Sequence, residues 1–96
     1  MSLVGNIVKF FNPFSNKQEE IAQGIITSLT EDGSLNVYVD LSSCSESVGK
    51  MLGQRQVISH DNPHIEILED KVTKISDVKD EDLAPGIQNL YDLCKP

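Results

Sequence analysis

The chain has no tryptophan and only five aromatic residues, three Phe and two Tyr, among its 96 positions. A groove for proline-rich peptides is built from aromatic side chains, so that function is not expected. Cysteine occurs only at Cys44 and Cys94. A disulfide scaffold of this length usually carries more cysteines, and nothing points to an oxidising compartment, so two reduced thiols are expected. Alanine is nearly missing, at two residues against 17 Ile and Val, which turns the composition away from helices and towards strands. No apolar run approaches the ~18 residues of a membrane span. No basic region followed by an apolar stretch marks a secretory signal. The expected address is the cytoplasm, or a particle assembled there. Positive charge is scarce as well: eight Lys and Arg face 15 Asp and Glu, a net charge of −7. That balance argues against non-specific binding to DNA, RNA or anionic lipid, which depends on Lys and Arg. An acidic nucleic-acid mimic would share it, yet only Asp80, Glu81 and Asp82 form an unbroken acidic run.

Leu, Ile, Val and Phe contribute 29 residues, enough for one small folded core. Leu3 to Phe11 reads as a first strand and Asn12 to Asn16 as a turn. Glu20 to Thr30 and Leu35 to Leu41 follow as strands two and three. Ser42 to Ser47 reads as a polar loop, and Gly49 and Gly53 argue against a long element over 48–53. Gln54 to His60 and His64 to Leu68 read as strands four and five, separated by a turn at Asp61-Asn62-Pro63. Lys71 to Ile75 extends the sheet or forms a linker. Residues 76–82 are charged and poor in apolar side chains. Beyond Pro85-Gly86, Ile87, Leu90, Tyr91 and Cys94 fall on one face of a short helix.

Strands two and three prescribe their own register. A three-residue loop, Glu31-Asp32-Gly33, opposes Leu29 to Leu35, Thr27 to Val37 and Ile25 to Val39. It places Ile25, Leu29, Leu35, Val37, Val39 and Leu41 on one side. Gly33 then takes the left-handed third loop position of a type I turn with a bulge. The opposite face, with Ile26 near Tyr38 and Ser28 near Asn36, is expected to be partly wet.

His60-Asp61-Asn62-Pro63-His64 is the most site-like stretch. Two imidazoles and a carboxylate are metal-ligand types, so His60, Asp61 and His64 are the candidates for a metal or small ligand. Pro63 and the turn chemistry oppose the helical spacing that would make two ligands converge, and no metal or other cofactor is expected. Cys44 in a Ser-rich loop lacks the rigid setting, base and oxyanion hole of a nucleophilic enzyme, and the glycines are isolated rather than clustered around a phosphate. Enzymatic activity is therefore not expected. Phe10, Phe11 and Phe14 gather around the first strand, where core packing is the expected role. Asn12-Pro13-Phe14 also matches a short docking motif of endocytic adaptors, which a turn explains equally well.

The run Ala22-Gln-Gly-Ile-Ile-Thr27, followed by Glu31-Asp32-Gly33-Ser34-Leu35-Asn36-Val37-Tyr38-Val39, Ser42-Ser43-Cys44-Ser45 and Gln56-Val57-Ile58-Ser59-His60, resembles the small SH3-like β-barrel proteins of tailed bacteriophages and prophages. Asp32, Gly33, Leu35, Asn36, Val37 and Val39 match the turn and strand that these proteins share. The match departs after Val39, where Asp40-Leu41-Ser42 replaces a Phe-Asp-Gly-like stretch. The resemblance implies a structural role in virion assembly and supplies no catalytic residue.

The expected architecture is mainly β: a small, partly open five-stranded barrel of SH3-like type, with an OB-like barrel as its neighbour, and a short C-terminal helix. A barrel domain over 1–75 precedes an acidic tether and helix over 76–96. The expected function is that of a non-enzymatic structural or interaction module. Ile87, Leu90, Tyr91 and Leu93 would dock the helix on its own barrel or on a partner, including a second copy of the chain.

Overall fold

The computed structural model describes residues 3–16, 18–68 and 84–94. The expected strand extension at 71–75, the 75/76 boundary and the acidic run 80–82 lie outside them. Five antiparallel strands form one open sheet in the order β4-β3-β2-β1-β5, with β1 at Ile7–Phe11, β2 at Glu20–Leu29, β3 at Leu35–Asp40, β4 at Arg55–Ile58 and β5 at Ile65–Ile67. The first four strands meander, and β5 returns to pair with β1. Helix α1 spans Glu46–Leu52 and α2 spans Ile87–Cys94. The mainly β character and the terminal helix follow the sequence reading, with shorter strand ends. β1 starts at Ile7 because Gly5, at φ 92°, turns the chain, and the Asn6 N–H donates to the Leu3 carbonyl at 3.0 Å.

The hairpin joining β2 to β3 has the expected loop. Leu29 opposes Leu35 and Ser28 opposes Asn36, Gly33 sits at φ 87°, and its N–H donates to the Thr30 carbonyl at 3.0 Å. Farther from the loop the register departs from expectation. Thr27 is bulged out of the ladder, so Ile26 faces Val37 and Ile25 faces Tyr38. The extra residue inverts the parity of β2, since side chains alternate faces with a period of two. Ile25 and Leu29 therefore cannot share a face. Ile26 belongs to the main core with Val8, Phe10, Ala22, Leu35, Val37, Val39 and Ile65. Ile25 belongs to a second cluster with Ile7, Ile87 and Leu90, packed against Tyr38, Leu68 and Ala84. The face expected to be partly wet is covered by α2 at Ile25 and stays open around Ser28 and Asn36. Leu29 and Leu41, both assigned to the buried set from the sequence, are 46% and 45% exposed.

The Ser-rich segment is not a loop. Leu41–Ser43 forms a 3-10 turn capped by the Asp40 side chain, which accepts from the Ser42 N–H at 3.0 Å. Ser45 then caps α1, its hydroxyl accepting from the Val48 N–H, and Gly53 at φ 71° ends the helix by donating to the Gly49 carbonyl at 2.8 Å. Val48 and Leu52, four residues apart on one helix face, pack onto the main core. The sequence obscures this helix because its two glycines read as breakers, whereas only Gly53 breaks it.

Candidate interaction surfaces

The sheet ends at β4, a four-residue strand whose two faces line two different grooves. The Val39 N–H donates to the Gln54 carbonyl at 2.8 Å, and β4 pairs with β3 from Arg55↔Tyr38 to Ile58↔Leu35. Main-chain groups alternate sides along an antiparallel strand. Gln54, Gln56 and Ile58 therefore turn theirs towards β3, and Arg55 and Val57 turn theirs outward. Among the described residues no strand pairs with that outer edge.

On the outer face, β2, β3 and β4 enclose a groove of about 480 Å³ whose lining includes Thr27, Ser28, Asn36, Tyr38, Arg55 and Val57. The bulged Thr27 is part of its wall. Asn36 Nδ2 donates to Ser28 Oγ at 2.9 Å, and Thr27 Oγ1 donates to the Asn36 carbonyl at 3.2 Å. Arg55, the only arginine in the chain, lies with its guanidinium carbon 5.1 Å from the Tyr38 ring centroid, and its Nη2 approaches the Tyr38 hydroxyl at 3.5 Å. Among the described residues no Asp or Glu lines this groove and Arg55 has no carboxylate partner. Val57 is 63% exposed beside it.

On the inner face, Gln56 and Ile58 join Phe10, Ile21, Met51, Leu52 and Ile65 around a smaller apolar groove of about 160 Å³. Phe11, Pro13, Asn62 and His64 complete its rim. Met51 is 66% exposed there, and Phe14, one residue beyond Pro13, is 96% exposed. The Asn12 side chain accepts from the Phe14 N–H at 3.0 Å, an Asx turn that holds the ring away from the core. Phe10 and Phe11 are core residues as expected, and Phe14 is not.

The residues singled out in the sequence are dispersed. His60, Asp61 and His64 are all exposed, and Asp61 spends its carboxylate on the Ser59 hydroxyl, which holds it below its ordinary pKa. The Asn62 side chain accepts from the His64 N–H at 2.8 Å. Among the described residues no three His, Cys, Asp or Glu side chains gather as metal ligands would. Cys44 is a half-buried free thiol, pushed above its ordinary pKa by burial and by the Asp40 carboxylate. Ile87 and Leu90 are 0% and 7% exposed against the chain's own sheet. Tyr91 and Leu93 belong to α2, and their side chains fall outside the described residues. No motif marks Arg55, Tyr38 or Val57 in the sequence; the one signal is that the sole arginine opens an alternating strand.

No helix among the described residues is long and apolar enough to cross a membrane. No family model, no curated protein and no solved structure matches this chain.

Proposed function

We propose that the chain is a non-enzymatic interaction module of the small partly open barrel kind, SH3-like in connectivity, that builds protein assemblies such as a virion. The observation that carries this reading is the outer edge of β4, which no strand among the described residues pairs, flanked by one groove rich in polar side chains and one apolar groove. Natural sheets usually close, cover or blunt their edges, because exposed N–H and C=O groups recruit another strand. Here the edge strand, Arg-Gln-Val-Ile, carries no Pro, a single charge at Arg55, and the exposed side chain of Val57. The return of β5 to β1, with a ten-residue β2 shared by both halves of the sheet, supports the barrel-like reading.

The test is co-purification of the tagged chain from its source cells, as wild type and as Val57→Pro. Proline removes only an N–H that points away from β3, so the sheet should survive. A stoichiometric protein companion, or a second copy, should accompany the wild type and be lost from the variant. A wild-type chain that purifies alone and monomeric, with no companion, would overturn the reading.

A further inference from the structure

The geometry points to an extended acidic peptide as the occupant of the β4 edge, added as a sixth strand with carboxylates and apolar side chains in alternation. This rests on the interaction reading above and names the chemistry of the partner. Three features of β4 specify it together.

The first is the main chain. Arg55 and Val57 direct their N–H and C=O groups outward, so a strand laid alongside can exchange hydrogen bonds with both residues. The second is the alternation of faces. A neighbouring strand sends successive side chains to opposite sides of the sheet. One set would stand over the outer groove beside Arg55 and Val57, and the other over the apolar groove beside Gln56 and Ile58.

The third is charge. The chain carries −7, yet the described lining of the outer groove holds its only arginine and no acid. The guanidinium lies over the Tyr38 ring, whose face does not neutralise its charge. Asn36, Ser28 and Thr27 add polar side chains to the same wall. A carboxylate at that position gains a charge-assisted hydrogen bond that no described residue already makes to Arg55. The same charge discourages an apolar or basic strand, so Arg55 protects the edge from indiscriminate pairing while selecting its partner. The apolar groove explains the other half of the pattern, since most of its lining, from Phe10, Ile21, Leu52, Ile58 and Ile65, suits an apolar side chain.

The experiment is a titration of the full-length, isotope-labelled chain with synthetic capped heptapeptides, followed by amide chemical shifts. The first peptide alternates Val with Asp or Glu. The second has the same composition in scrambled order, the third replaces each acid by its amide, and the fourth is N-methylated on the edge facing β4. The alternating peptide should shift Arg55 to Ile58 together with Thr27, Ser28, Asn36 and Tyr38. Neutralising the acids, or Arg55→Gln in the protein, should weaken binding roughly tenfold, the size of one charge-assisted hydrogen bond. N-methylation and Val57→Pro should each abolish the shifts. Equal binding of the scrambled peptide, shifts confined to β5 or α2, no response at millimolar peptide, or indifference to Arg55→Gln would each overturn the assignment. If Val57→Pro still strips a native companion from the chain while no peptide binds, only the acidic-strand inference falls and the interaction module stands.

Discussion

The N–H of Ala84 donates to the buried side-chain carbonyl of Gln23 at 2.9 Å, joining the approach to α2 to the middle of β2 across 61 residues. Gln23 is 4% exposed, and its amide nitrogen also donates to Glu20. A second tie runs from the Ser42 hydroxyl to the Pro85 carbonyl. The short apolar helix is marginal by itself. These polar ties and the burial of Ile87 and Leu90 on Ile7 and Ile25 hold it on the sheet. Through Ile87 and Leu90 the helix is consequently part of the core.

Gln23→Leu should destabilise the fold by about 1–3 kcal/mol, because the Ala84 N–H loses its acceptor in a half-buried setting. Urea unfolding would measure the loss. Hydrogen exchange should show it concentrated in α2, with amides in β2 and β3 opening only in the global transition. Uniform loosening of the whole sheet would contradict the role given to this bond.

Two glycines with similar backbones should respond differently to alanine. Gly33 and Gly86 have φ of 87° and 94°. A Cβ at Gly33 would meet nothing within 4 Å, so Gly33→Ala should cost only the backbone strain, about 1 kcal/mol. A Cβ at Gly86 would lie 2.8 Å from Asp40 Oδ1 and 3.0 Å from Ser42 Oγ. Gly86→Ala should add at least about 1 kcal/mol of steric cost. It would also push the Asp40 carboxylate from its place beside the start of α2, where a negative charge suits the helix dipole. Equal losses in the two variants, measured by denaturant unfolding, would contradict this packing.

The contrast between the two grooves and the core shows what the sequence can disclose. Strand identities were legible because Leu35, Val37 and Val39 alternate, and the loop was legible because only a glycine suits position 33. The Thr27 bulge was not, since nothing in Ile-Ile-Thr-Ser says which residue leaves the ladder. That single insertion moved Ile25 to the α2 side. α1 was hidden by a serine run that reads as a loop until Ser45 is recognised as a cap. Arg55 as a candidate site residue was invisible for a different reason: its environment is assembled from β2, β3 and β4, and no local pattern announces it.

Acid should weaken the β2–β3 hairpin in a defined window. Asp32 accepts from the Thr30 hydroxyl and from the Ser34 N–H, and these bonds hold its pKa below the ordinary carboxylate value. Its folded pKa therefore lies under its unfolded one. The stabilisation is complete above the unfolded value and is lost as pH falls through the folded value. Between about pH 5 and pH 3 the wild type should lose more stability than Asp32→Asn, whose neutral side chain has no such titration. Parallel pH profiles of the two proteins would refute the assignment. Asp61 is depressed by Ser59 in the same direction, so Asp61→Asn should flatten the profile independently.

Ile87 and Phe14 make the last test, because the sequence treats both as docking or core candidates and the structure separates them. Ile87 is fully buried between α2 and the sheet, so Ile87→Ala leaves a cavity against Ile7 and Ile25 and should cost about 2–5 kcal/mol. Phe14 projects from its Asx turn at 96% exposure, so Phe14→Ser should change stability by no more than about 0.5 kcal/mol. The two losses, read from denaturant midpoints at unchanged slope, test the seating of α2 directly. A neutral Ile87→Ala would mean that the helix is not held on this sheet in solution. A costly Phe14→Ser would mean that the ring packs onto the apolar groove beside Pro13 and Met51, closing the surface that lines the inner side of β4.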